Sequence, residues 1–132
     1  MSAGTDPTDS EPSIVYVDDD GDLLKLAKLC FNVFGDTDIE TCEDVNDFMR
    51  MFEKGRFSVM LFDWQMPDMT GIELAEWVRR VQGDIDSTVI LVTARDVDKE
   101  AGAIEKLHIA GVIAKPFEPD TLPSLTFAMH RK

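Results

Sequence analysis

The chain has 132 residues, with 26 acidic and 13 basic side chains and a formal net charge of −13. This length suits one domain with its own core, and a content of 44% hydrophobic residues excludes a disordered chain. Binding to nucleic acid or anionic lipid relies on basic side chains, so the acidity argues against both partners. Residues 1–13 are polar and contain no signal or membrane-spanning segment. We expect a cytosolic protein with a flexible leader at 1–13 and one domain at 14–132.

Short apolar runs alternate with helical patterns from residue 14 onward. The runs have the length of strands and are apolar throughout, which indicates burial on both faces of a parallel sheet. Right-handed crossovers then predict a doubly wound α/β fold, a (βα)5 three-layer sandwich with a five-stranded parallel sheet. The predicted strands are 14–17, 37–42, 57–62, 88–92 and 112–114, and the predicted helices are 23–34, 45–52, 74–81, 101–107 and 122–129.

Polar residues follow four of the predicted strands. Asp18 and Asp19 follow the first strand, Asp63 follows the third, Thr93 the fourth and Lys115 the fifth. Ligands of such sheets bind beyond the carboxyl ends of the strands, so these side chains are expected at one edge. Each residue alone has a structural explanation, as a turn residue, a strand residue or a loop charge. Their common placement indicates a shared site.

Other acidic and sulfur-containing residues have simpler interpretations. Asp20 and Asp22 precede the first helix, where a capping role is favoured. Cys30 and Cys42 are predicted to be reduced thiols rather than a disulfide or metal ligands. The carboxylates at the strand ends form an all-oxygen cluster, and two of them about 5 Å apart repel by roughly 3 kcal/mol at an effective dielectric near 20. Such a cluster favours Mg²⁺.

Four motifs carry a family resemblance: VYVDDD at 15–20, FDWQMPDMTG at 62–71, VTA at 92–94 and KPF at 115–117. In this order they resemble the receiver domain of two-component response regulators, from about residue 13 to the end. The resemblance implies a flavodoxin-like fold. It also implies that Asp63 accepts a phosphoryl group from the phosphohistidine of a histidine kinase. Mg²⁺, which Mn²⁺ can replace, would be held by Asp19, Asp63 and the backbone carbonyl of Gln65, with Asp18 acting mainly through a metal-bound water.

The resemblance assigns further residues to the switch. Lys115 would pair with a phosphoryl oxygen and Thr93 would donate its hydroxyl to another, while the small Ala94 would leave room for the group. The bond before Pro116 is expected to be cis. The family usually has an aromatic residue three positions before the lysine, and here that position is Val112, so the aromatic readout is replaced.

Gln65 and Arg95 flank the expected phosphoryl position and are predicted to tune the lifetime of the phosphate. The protein is predicted to be a phosphoacceptor rather than an enzyme, limited to self-directed phosphoryl transfer and autodephosphorylation. Its expected partners are a histidine kinase or phosphotransfer protein and a downstream protein target. A homodimer would use the face of the fourth helix, fifth strand and fifth helix. No output domain follows in the chain, so it is a stand-alone receiver or a fragment.

Three other functions make different demands on these residues. A haloacid-dehalogenase-like phosphohydrolase also uses an aspartyl nucleophile, but its second acidic residue would stand where Gln65 is. A calcium-binding loop starting at Asp18 needs glycine at its sixth place and glutamate at its twelfth, where Leu23 and Leu29 stand. A pseudo-receiver that is never phosphorylated is opposed by the complete residue set, although Val112 leaves it open.

Overall fold

The computed structural model describes residues 12–94 and 101–131, and within them five strands and five helices alternate. All ten predicted elements are present; β1 has the predicted bounds, and each of the others is shifted at one or both ends. The strands are β1 (Ile14–Val17), β2 (Glu40–Cys42), β3 (Val59–Asp63), β4 (Thr88–Thr93) and β5 (Ile109–Ala114). The helices are α1 (Gly21–Gly35), α2 (Val45–Met51), α3 (Gly71–Glu76), α4 (Ala101–Lys106) and α5 (Thr121–His130).

The five described strands form one sheet in the order β2-β1-β3-β4-β5, and every neighbouring pair is parallel. The chain moves from β1 outward to β2, returns to β3 and then continues to the other edge. This reversal between β1 and β3 makes a topological switch point at their carboxyl ends. All five residues of the central strand β3 are buried, as expected for a strand that is covered on both faces.

Helices cover both faces of the sheet, so the predicted three-layer sandwich is confirmed. Side chains along β1 alternate between the two layers. Val15 and Val17 join a core with α2 and α3, and Tyr16 joins the opposite core with α1 and α5. Each face of the sheet therefore has its own apolar core, and the site must lie at an edge.

The third helix ends differently from the prediction. It continues from α3 into a π-helical turn at Trp77–Val81, closed by the bond from Gln82 N to Trp77 O at 3.0 Å. The wider turn breaks the 3.6-residue period. Val81, which the pattern placed on the apolar face, is 68% exposed, and Arg79 is buried. The five N–H donors of Arg79 bond to the carbonyls of Leu107, Asp84, Ser87 and His108 and to Ser87 Oγ.

The start of α3 is fixed against the end of β3. Thr70 and Glu73 form a capping box, in which each side chain accepts a hydrogen bond from the other residue's backbone N–H. A Cβ atom at Gly71 would lie 2.6 Å from the backbone oxygen of Asp63, so only glycine allows this approach. The loop between the two elements is thereby held close to Asp63.

Cys30 and Cys42 are buried free thiols, as predicted. Most of the predicted leader, residues 1–11, lies outside the described residues, and the boundary at residue 13 stays a prediction. Ser13 itself donates through its hydroxyl to the carbonyl of Arg56 at 2.7 Å. Among the described helices we find none with the length and apolar character that a bilayer crossing requires.

Candidate phosphoacceptor site

Three charged residues from different strands meet at the carboxyl edge of the sheet. Asp18 directly follows β1, Asp63 is the last residue of β3 and Lys115 directly follows β5. The Nζ atom of Lys115 lies 2.9 Å from Asp18 Oδ2 and 2.9 Å from Asp63 Oδ1. The expectation that these distant residues converge is therefore met by the geometry.

Backbone hydrogen bonds between strand tips hold the three residues in place. Lys115 N donates to the carbonyl of Thr93 at 2.8 Å, and Asp18 N donates to that of Cys42 at 3.1 Å. Trp64 N, next to Asp63, donates to the carbonyl of Val92 at 3.0 Å. The site is thus an extension of the sheet ladder, which is more rigid than a free loop.

The carboxylates cluster closely enough to share one cation. Asp18, Asp19 and Asp63 each offer an oxygen, and these oxygens lie within 4.8 Å of one another. Asp18 and Asp63 are buried, whereas Asp19 is exposed. Asp20 is the N-cap of α1, as predicted, and it accepts a hydrogen bond from the backbone of Leu23. An all-oxygen cluster that is open on one side fits Mg²⁺, which binds carboxylates and retains waters.

Asp18 has more hydrogen-bond donors than the sequence suggested. Its Oδ2 accepts from Lys115 and also from the hydroxyl of Tyr16 at 2.9 Å, and its Oδ1 accepts from the backbone N–H of Asp20 at 2.9 Å. Burial, with the nearby Asp18, raises the pKa of Tyr16 far above its ordinary value, so the phenol stays a neutral donor. The sequence pattern placed Tyr16 in an apolar strand. The available signal was its position two residues before Asp18, on the same strand face.

A cleft of about 250 Å³ opens above Asp63. Thr93, the last residue of β4, is buried beneath it, while Ala94 and Gln65 are exposed at its rim. The cleft is lined by Asp63, Gln65, Thr93, Ala94 and Lys115.

The structure describes two of the three remaining predicted positions. Val112 on β5 packs against the core on the α2 and α3 side and brings no ring to the site. The Lys115–Pro116 peptide bond is cis, as expected. Arg95 lies outside the described residues.

Among the described residues, the single ammonium of Lys115 faces the carboxylates of Asp18, Asp19 and Asp63. Burial raises the pKa of Asp63, and repulsion from Asp18 and Asp19 adds to this, although the hydrogen bond from Lys115 opposes it. Burial acts to lower the pKa of Lys115, but its hydrogen bonds to Asp18 and Asp63 prevail and the pKa is raised. Lys115 is therefore charged, and one ammonium serves two buried carboxylates. An added cation would relieve the remaining repulsion.

Comparison with known proteins agrees with this arrangement. The family model of the response regulator receiver domain matches residues 14–126. The chain is 28% identical over 109 residues to the chemotaxis protein CheY of Pseudomonas aeruginosa, covering 83% of this chain and 88% of that protein. It is also 28% identical over 110 residues to a CheY homolog of Campylobacter jejuni, covering 83% and 85%.

Solved structures share the fold. Chemotaxis protein CheY4 of Vibrio cholerae superposes with a TM-score of 0.81 at 22% identity, over 91% of this chain and 99% of that chain. A CheY-like receiver domain protein from Methanospirillum hungatei gives a TM-score of 0.76 at 25% identity, over 92% and 96%. Because the family model spans most of the chain, and the sheet and its carboxylate edge agree with it, the chain belongs to the response regulator receiver domain family.

Proposed function

We propose that this receiver domain accepts a phosphoryl group on Asp63 from the phosphohistidine of a histidine kinase or phosphotransfer protein. One observation carries the proposal: Asp63 ends the central buried strand with an ammonium 2.9 Å away and two further carboxylates within 4.8 Å. This arrangement offers a nucleophile together with the charge neutralisation that phosphoryl transfer needs. Receiver domains are in general phosphoacceptors that act with kinases and downstream targets.

In the proposed reaction an oxygen of Asp63 attacks phosphorus and forms an O–P bond. The P–N bond of the phosphohistidine breaks, its electron pair returns to the imidazole nitrogen, and that nitrogen takes a proton from solvent. By analogy with other phosphorylated side chains, Asp63 then carries roughly one more negative charge than the free carboxylate. The surrounding donors must compensate that charge.

The residues present fit a bound Mg²⁺. Asp18, Asp19 and Asp63 would hold it with their carboxylates, Asp18 mainly through water, and Gln65 would contribute its backbone carbonyl. A divalent cation at this place supplies charge neutralisation and orients the phosphoryl oxygens. Mn²⁺ prefers the same oxygen ligands and is expected to replace it.

Lys115 and Thr93 would bind the phosphoryl oxygens directly. Lys115 lies beside Asp63, and Thr93 lines the same cleft at the tip of the next strand. Exposed Ala94 leaves the entrance open on the side of Thr93. Gln65 at the rim, together with Arg95, is proposed to set how long the phosphate survives attack by water.

The readout must differ from an aromatic swing, because Val112 has no ring. We propose that the pull on Thr93 and Lys115 displaces β4 and β5 and biases the packing of α4, β5 and α5, the face assigned to a downstream target or a homodimer. A second candidate, a pseudo-receiver that binds partners without phosphorylation, is favoured by Val112 alone. The cytosolic location expected from the sequence stays a prediction.

Incubation with acetyl phosphate and Mg²⁺, followed by intact mass spectrometry, tests the proposal. We expect one added phosphoryl group, absent in Asp63→Asn and absent with EDTA. Asp68→Asn is the matched control, since this exposed acid lies in the same loop and bonds to Asn46 instead of the site. It should label like the wild type.

Two outcomes would overturn the proposal. An unlabelled wild type, beside a control receiver that does label, would favour the pseudo-receiver. Sustained hydrolysis of a generic phosphate ester would favour the phosphohydrolase.

A further inference from the structure

Tyr16 is a buried hydroxyl that the proposed chemistry does not yet use. It lies on β1, pairs with Leu61 of β3 in the sheet and is 0% exposed. Its ring belongs to the apolar core on the α1 and α5 side, where phenylalanine would fill the same space. Packing therefore explains the presence of the ring. It does not explain the hydroxyl, which donates to Asp18 Oδ2 at 2.9 Å.

The same Asp18 oxygen is also bonded to Lys115. Within the described part of the chain, this oxygen has two donors in the resting site, the Tyr16 hydroxyl and the Lys115 ammonium, each at 2.9 Å. Lys115 has three hydrogens, and one goes to Asp18 and another to Asp63. The side chain of Asp18 is only 1% exposed, so bulk water has little access to the oxygen that bonds to Tyr16 and Lys115.

The two donors differ in their freedom to move. Lys115 follows the end of β5, its side chain is 20% exposed, and in the proposed reaction it turns toward a phosphoryl oxygen. Tyr16 is enclosed in the core and its hydroxyl keeps its position. If the Tyr16 hydroxyl were missing, the departure of Lys115 would leave a buried carboxylate oxygen without a donor. The free energy cost of that state would oppose the movement of Lys115.

We propose that Tyr16 is a positioning residue that releases Lys115 for phosphoryl binding by remaining bonded to Asp18. The inference rests on the proposed phosphorylation of Asp63. It predicts that loss of the hydroxyl has little effect in the resting state, where Lys115 still donates a hydrogen bond to Asp18. It matters during transfer, when Lys115 has redirected its bond.

Tyr16→Phe separates these two states. Phosphorylation by acetyl phosphate is followed by intact mass at saturating Mg²⁺ and saturating acetyl phosphate. Mg²⁺ affinity is measured separately by titrating the tryptophan fluorescence of the protein, to which Trp64, buried beside Asp63, contributes. We expect the maximal rate to fall roughly tenfold, equivalent to about 1.4 kcal/mol, and the Mg²⁺ dissociation constant to change by less than about threefold.

Thr126→Val is the matched control, because it also removes a fully buried hydroxyl, one that bonds to the carbonyl of Leu122 in α5. Its phosphorylation rate should stay unchanged, although it also loses a buried hydroxyl. An unchanged rate in Tyr16→Phe overturns the inference, and so does an equal loss in Thr126→Val or a parallel loss of Mg²⁺ affinity. A wild type that takes up no phosphoryl group would overturn the proposed function, and this inference with it.

Discussion

Replacing Lys115 by methionine removes the charge from the site and keeps most of the side chain. The ammonium lies 2.9 Å from two carboxylates whose side chains are 1% and 10% exposed, and Lys115 itself is 20% exposed. Breaking a buried ion pair leaves uncompensated charge and costs about 3–5 kcal/mol. Partial exposure of Lys115 favours the lower end, so we expect Lys115→Met to lose about 3 kcal/mol of unfolding free energy in EDTA.

For a domain of this size, about 3 kcal/mol corresponds to a fall of roughly 12 °C in melting temperature. The assay is thermal unfolding followed by circular dichroism, with EDTA and with Mg²⁺. Mg²⁺ should restore part of the stability lost in Lys115→Met, because the cation then neutralises the two carboxylates that have lost the ammonium. The double variant Lys115→Met with Asp63→Asn should be more stable than Lys115→Met alone, since it carries one buried charge less.

Lys28→Met provides the matched control for this experiment. Lys28 bonds to Asp38 at 2.7 Å, but the two side chains are 48% and 74% exposed and water screens the pair. We expect only a small loss of stability. If Lys115→Met were no less stable than Lys28→Met, the reasoning that one ammonium holds two buried carboxylates together would be refuted.

Two further predictions concern pH and the π-helical turn. The pKa of Asp63 is raised in the folded state by burial, so its protonated form stabilises the fold at low pH and this contribution is lost as pH rises through the folded pKa. Unfolding free energies in EDTA should therefore fall for the wild type relative to Asp63→Asn as pH rises above the ordinary aspartate pKa of about 3.9. Arg79→Lys should destabilise the protein by about 3 kcal/mol in urea unfolding, because lysine cannot serve the five bonds of the buried guanidinium. Arg80→Lys, at an exposed neighbour paired with Glu76, should lose far less.

The pH prediction fails if the difference between wild type and Asp63→Asn is constant or grows with pH. The prediction for the π-helical turn fails if Arg79→Lys and Arg80→Lys lose equal stability.

The sequence predicted the strand-end cluster because a single rule places it there. Apolar runs define the strands, parallel pairing aligns their carboxyl ends, and Asp63 and Lys115 come directly at those ends. The N-cap role of Asp20 followed in the same way from its position before a helix. These features depend on local pattern and topology, and both can be predicted from the sequence.

Other features depend on contacts that a local pattern does not contain. The strand β5 begins at Ile109, earlier than predicted, because Ile109 and Gly111 pair with Val89 and Ile90 of β4. Ala110 and Gly111 have weak strand propensity, so the local pattern did not indicate this start. An arginine normally lies outside, so the burial of Arg79 could not be expected without knowing which carbonyls converge on it. The role of the Tyr16 hydroxyl was not predicted for a related reason. An aromatic residue in an apolar run indicates a core position and does not indicate a hydrogen bond to Asp18.

The close packing of Gly71 on Asp63 limits how this chain can vary. The backbone of the proposed nucleophile touches the first residue of α3 directly, and a single methyl group there would collide with the Asp63 carbonyl at 2.6 Å. Divergence or redesign of the segment between Asp63 and Gly71 can therefore change its exposed side chains but must carry the glycine along unchanged. Swapping this loop between receiver scaffolds without its glycine would shift the acceptor carboxylate and misalign it before any partner is met.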